Sequence, residues 1–141
     1  MSLTIFNEDV DLPSLQVDII ENWFNEVIVS NGLKLGDISI IFCSDSYLLN
    51  INQKYLNHDY YTDIITFNYS RRKVISGDLF ISLDMVVHNA EKFSIPFNEE
   101  LHRVMVHGIL HLIGFDDHTE DDIAEMRFQE NLWLSKLDLN H

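Results

Sequence analysis

Cations, cysteine, proline and glycine are all scarce in this 141-residue chain, and each scarcity excludes something. Only 9 lysines and arginines stand against 23 acidic residues, a net charge of -14. Indiscriminate nucleic-acid binding needs many cations to neutralise phosphates, so that class is excluded. A nucleic-acid substrate held by a local basic patch and a metal remains open, and the charge also serves solubility. The single cysteine, Cys43, permits no intramolecular disulfide and fits a reducing cytosol. It ends an apolar run over 38–43, where a buried, inert thiol is expected rather than a nucleophile. The 5 glycines and 2 prolines are scattered, leaving no linker, repeat or low-complexity segment. No apolar run reaches the roughly 18 residues of a membrane span, and the amino terminus has no basic region before a long apolar core. A single cytoplasmic domain over 1–141 is expected, with 46% apolar residues to build its core.

What is present reads as alternating short strands and helices. Leu3 and Ile5 suggest a first strand, closed by Asn7, Glu8 and Asp9. A helix is expected from Pro13 or Ser14, because Leu15, Ile19, Trp23 and Val27 recur at helical spacing; Asn31 and Gly32 end it. Gly36 and Asp37 lead into the buried strand at 38–43, and Ser44 or Asp45 caps a second helix through Leu48, Ile51 and Tyr55. The loop at 57–63 is crowded with hydrogen-bonding and aromatic residues, the composition of a binding loop or of an Asn/Asp-rich turn. Strands follow at 64–69 and 79–82. Between them Ser70, Arg71, Arg72 and Lys73 form the one basic cluster, at an expected hairpin tip, where a phosphate backbone could touch. Asp84 is expected to cap a helix that Pro96 ends. Asn98 then caps another, with Glu99 and Glu100 in its first turn. Thr119 and Asp122 suggest a capping box for a last helix carrying Ile123, Met126, Glu130, Trp133 and Leu137 along one face. Four strands and about five helices make this an α+β, or mixed α/β, domain.

The chemistry concentrates between His107 and His118. The pattern is His-x-x-x-His-x-x-Gly-x-x-Asp, formed by His107, His111, Gly114 and Asp117. Histidines four apart share one face of a helix. A glycine in the left-handed conformation stops the helix and returns the chain, so that a carboxylate can join the two imidazoles. Three N and O donors with one position left open suit a catalytic zinc. Each part also has an ordinary structural use, as partly buried histidines, a helix stop and a solvated cap. Their combination at ligand spacing, among Val104, Met105, Val106, Ile109, Leu110, Leu112 and Ile113, favours a metal site at the end of a buried helix. A zinc peptidase would carry a glutamate after the first histidine as general base. Gly108 stands there, which leaves phosphodiester hydrolysis, another hydrolysis or a structural metal.

These residues resemble the YbeY endoribonucleases, also called ribosomal-RNA maturation factors, over nearly the whole chain. The stretch from His107 through Leu110 and His111 to Gly114 is similar to the family motif, which also has glycine in the peptidase glutamate position. Asn52 and Tyr55, followed by Asp59, Thr62, Asp63, Ile64 and Phe67, resemble a second motif, and Gly77, Asp78, Leu79, Phe80 and Ile81 a third. The resemblance implies one Zn2+ per chain, a single-strand-specific endoribonuclease, and a role in small-subunit rRNA 3′-end processing and late ribosome quality control. It further implies contact with rRNA and small-subunit components, with no DNA or membrane partner. Two departures stand out. The usual third ligand is a histidine where Asp117 stands here, with His118 one residue late; Asp117 is favoured, with His118 as second choice. The arginine many members carry after the motif tyrosine is Leu56, for which Arg103 is one substitute. Asp116, His118 and His58 are the candidates for a general base. A rival reading is a ribosome-assembly factor with a structural metal and no nuclease activity; a third is an unusual zinc peptidase.

Overall fold

In the computed structural model, which describes residues 2–57 and 62–137, hydrophobic alternation in four strands sets up one mixed sheet. Strands β1 (Leu3–Asn7), β2 (Lys34–Cys43), β3 (Ile64–Asn68) and β4 (Val74–Ser82) lie in the order β1-β2-β4-β3. β1 pairs parallel with β2 and β2 parallel with β4, whereas β3 runs antiparallel to β4 through the hairpin at its end. Helices α1 (Val17–Ser30), α2 (Asp45–Leu56), α3 (Leu83–Phe93), α4 (Phe97–Ile113) and α5 (Glu120–Lys136) complete the element order. Alternate residues of the central strands, Ile38, Ile40, Phe42, Leu79 and Ile81, join the main core with Phe24 of α1 and Leu101, Met105 and Ile109 of α4. A smaller cluster holds Cys43, Leu48 and Ile51 against Ile65, with Phe67 and Phe80 at its border. The α4 helix is therefore apolar nearly all round because it is buried between the sheet and its neighbouring helices. No described helix is long and apolar enough to cross a membrane.

Several boundaries depart from the pattern, among them β4, which begins at Val74 rather than at Leu79. Helix α1 begins at Val17 rather than at Pro13 or Ser14. Leu15 still packs on the core from outside the helix, so its apolar spacing marks burial without helix. Strand β2 begins at Lys34 and runs through Gly36 and Asp37, with a register shift between Leu35 and Ile38. This is a bulge inside the strand rather than a turn before it. A side chain at Gly36 would collide with Ser76 Oγ and approach Ile75 O to 2.9 Å. Asn98 does not cap α4. Pro96 holds the N-cap position with no side-chain bond, while the Asn98 carbonyl accepts from His102 Nδ1 at 2.6 Å. Ser82, not Asp84, caps α3, and Ser44 caps α2. The Thr119–Asp122 capping box forms in both directions.

Cys43 is fully buried, and burial, followed by the nearby charge of Asp9, pushes its thiol up to about 12. A protonated, enclosed thiol is no nucleophile at neutral pH.

Gly108 is fixed by space. A Cβ there would lie 2.8 Å from Ile64 Cδ1 and 3.0 Å from Leu79 Cδ1, because α4 rests directly on β3 and β4 at this point. A glutamate would have to enter the apolar contact between helix and sheet, so the peptidase base is excluded sterically as well as by sequence. Gly108→Glu is expected to cost about 3 kcal/mol or more and to lower Tm by on the order of 10 °C. A thermal melt within two or three degrees of the wild type would contradict this packing.

Candidate metal centre

The histidines stand on the face of α4 that the sheet does not cover. Their rings are edge to face with centroids 4.6 Å apart, and each side chain is a little over one-fifth exposed. At the end of the helix Gly114 adopts φ 127°, a conformation unfavourable to other residues, and its N–H closes on the carbonyls of Leu110 and His111. The reversed chain brings Asp117 back over the histidines. Its Oδ2 lies 3.6 Å from His107 Nε2 and 3.3 Å from His111 Nε2. Donors bound tetrahedrally at zinc distances are separated by about 3.3 Å, so this donor set fits such an ion. Among the described residues His107, His111 and Asp117 form the group that could hold a metal, with one donor atom from each within 4.8 Å of the others. His118 is exposed and lies outside that group, as is Asp116; His58 and Asp59 lie outside the described residues.

The histidine face is supported by a buried polar network from α5. Glu130 is only 4% exposed, and its Oε2 accepts from His107 Nδ1 at 2.7 Å. A proton held on Nδ1 leaves the Nε2 lone pair facing Asp117, the tautomer a ligand requires. Burial opposes a charged His107 ring, yet the hydrogen bond and charge of Glu130, helped by Asp63 and Asp117, hold its pKa above the ordinary value. Burial likewise works against the Glu130 carboxylate, but His107 and Arg103 more than offset it and hold its pKa low. The other oxygen, Oε1, accepts from Arg103 at 3.1 Å and from Arg127 at 3.3 Å. Arg103 also donates to Asn131. It thus ties α4 to α5 rather than standing free to take a phosphate in place of the arginine missing at Leu56.

A cavity of about 150 Å³ opens beside His107, lined also by Asp63, Glu100, Arg103, Arg127 and Glu130. Asp63 is partly buried there, and desolvation raises its carboxyl pKa despite the neighbouring His107. The sequence pattern places Glu130 on the inner face of the last helix as one member of an apolar stripe. A carboxylate among Met126 and Trp133 is the signal that it serves a buried partner. Asp63 appears in the sequence only as part of a longer motif.

Comparison with known proteins identifies the family. The family model for endoribonuclease YbeY matches residues 4–138. The endoribonuclease YbeY of Parabacteroides distasonis is 49% identical over 97% of this chain and 96% of its own length. That of Flavobacterium psychrophilum is 46% identical, covering 96% and 95%. The solution structure of TM1509 from Thermotoga maritima superposes with a TM-score of 0.63 at 25% identity, over 96% of this chain and 88% of that one. With three donors at ligand spacing on a shared fold and the match running nearly end to end, this chain belongs to the endoribonuclease YbeY family.

Proposed function

We propose that the chain is a cytoplasmic, zinc-dependent endoribonuclease that cuts single-stranded RNA. Its setting is small-subunit rRNA 3′-end maturation and late ribosome quality control, with rRNA and small-subunit components as partners. The observation that carries this reading is the His107–His111–Asp117 cluster, three donors among the described residues, beside a cavity lined by acid and base groups. A zinc ion there would supply Lewis-acid charge for a phosphoryl oxygen and would bring bound water toward a pKa near 7. His107, His111 and Asp117 are assigned to hold it, one ion per chain. Asp117 would contribute negative charge where the family more often has a neutral imidazole, which would make a metal-bound water less acidic.

The remaining residues have separable tasks. Glu130 keeps the His107 proton on Nδ1. Asp63 lines the cavity with His107 but is not among the clustered donors, and its elevated pKa suits a group that accepts or returns a proton. Asp63→Asn is expected to lower kcat by about 100-fold or more while zinc content stays unchanged; zinc lost with the activity would recast Asp63 as a support for the ligands.

The test of the reading is cleavage by the purified chain after zinc loading, compared on a single-stranded RNA and the same sequence as a duplex. The expected outcome is cutting of the single strand alone, abolished by chelation and restored by zinc. Stoichiometric zinc without cleavage would transfer the chain to the assembly-factor reading.

A further inference from the structure

The open edge of the sheet, at β3 and its hairpin to β4, has features that metal binding does not use. Tyr55 and Tyr69 are 61% and 57% exposed. Neither ring hangs loosely. Tyr55 sits edge-on to Phe67, with centroids 6.1 Å apart at 87°. Lys54 Nζ lies 5.2 Å from the centre of the Tyr55 ring. The Tyr69 hydroxyl donates to Asp78 at 3.1 Å, which sets the direction of that ring without covering it. Residues two apart on an extended chain share a face, and the Tyr69 N–H continues the strand pairing to Ser76 O, so Phe67 and Tyr69 lie along one strip.

The strip ends at positive charge. Arg71, Arg72 and Lys73 are exposed and make no ion pair among the described residues. Lys34 joins them, its N–H bonded to Lys73 O. Four of the chain's 9 cations therefore meet at this end of the sheet. The opposite end is acidic, with Asp9, Asp45 and Asp84 gathered around Ser44 and Ser82. The strip lies on the face of the sheet opposite α4, and the edge strand β3 separates it from the metal centre. Asn68, which alternates to the α4 face, donates from Nδ2 to Leu112 O at 3.3 Å, so the two faces meet across this one strand.

We propose that single-stranded RNA leaves the metal centre across the edge of β3, stacks bases on Tyr55 and Tyr69, and lays its phosphates on Arg71, Arg72 and Lys73. The proposal rests on the ribonuclease reading above and names how that substrate is held. Exposed aromatic rings next to a cationic groove recognise unpaired bases without regard to sequence. A duplex hides its base faces and offers the strip only its phosphates. The platform thereby gives this strongly acidic chain a local route to an anionic substrate and a preference for single strands.

The experiment is anisotropy of a fluorescein-labelled oligouridylate with the full chain, chelator-treated so that the RNA stays whole. Tyr55→Leu and Tyr69→Leu are each expected to weaken binding about fivefold or more, and Tyr55→Trp to retain it. Glutamine at positions 71, 72 and 73 should reduce the slope of log affinity against log salt by about 2. Binding of a duplex should not respond to the tyrosine variants. Leucine variants within twofold of wild type, a Tyr55→Trp loss equal to that of Tyr55→Leu, or an unchanged salt slope would each overturn the platform. Cleavage is read separately on the zinc-loaded chain. Cleavage with tyrosine-independent binding overturns the platform alone; tyrosine-dependent binding without cleavage supports it and removes the nuclease. A chain that binds no RNA, its tyrosines instead meeting a protein partner, also overturns it.

Discussion

Replacing His111 by alanine is expected to leave a folded chain that retains almost no zinc and cuts RNA no faster than buffer does. His111 gives one of the three clustered donors among the described residues, so its loss leaves His107 and Asp117 as a two-donor set there. Fold and site separate cleanly at this position. The imidazole is part-exposed and outside the main core, while its neighbours Leu110 and Leu112 anchor the helix. Alanine is also the best helix former, and substitutions at such positions change stability by about 0.5 kcal/mol or less. The metal-free variant should therefore melt within about 2 °C of the metal-free wild type. Zinc per chain by elemental analysis and cleavage of a labelled single strand, both against wild type, make the measurement. Cleavage that survives in His111→Ala, or in wild type stripped of metal, would sink the mechanism. A collapse in Tm would show instead that the histidine is structural.

The candidate site is local in sequence where it was legible and distant where it was not. His107 and His111 are one turn apart, and Gly114 and Asp117 complete the return within ten residues, so helical geometry and one positive φ suffice to bring the donors together. The strand and helix count was legible for a similar reason, since alternation and helical spacing are local periodicities. Sheet order was not, because β4 slots between β2 and β3 through contacts far apart in sequence. The bulge at Gly36 is not legible for the same cause: Gly36 and Asp37 look like the approach to a strand, and their place inside it depends on Ser76 and Ile75 across the sheet. Arg103 shows the limit most plainly. One turn before His107 it reads as a surface charge or a spare phosphate ligand. Only the fold reveals Glu130, 27 positions on, waiting to take it.

That carboxylate is the basis of the second large effect. Glu130→Gln is expected to lower zinc affinity by about 10- to 100-fold even though the side chain keeps its shape. Glu130 accepts on both oxygens, from His107 on Oε2 and from Arg103 and Arg127 on Oε1. A glutamine has one acceptor and one donor group, so it cannot serve both sides. If its oxygen faces His107, its amide meets the Arg103 guanidinium donor to donor. If its amide faces His107, the imidazole proton must move to Nε2, the atom that points at Asp117, and the lone pair needed for the metal is gone. Glu130→Leu removes both interactions and leaves the mostly buried Arg103 without its closest anion; Glu100 is 3.9 Å away. Uncompensated buried charge costs about 3–5 kcal/mol, so this variant should lose stability as well as metal. The two substitutions thus divide the roles of one residue: glutamine reports mainly on the histidine tautomer, leucine on the link between α4 and α5. Zinc affinity by competition with a chromophoric chelator, alongside denaturant unfolding of each metal-free variant, measures both. Zinc affinity within twofold of wild type in Glu130→Gln would mean that His107 is oriented by its packing on α4, and that Glu130 serves the arginines alone.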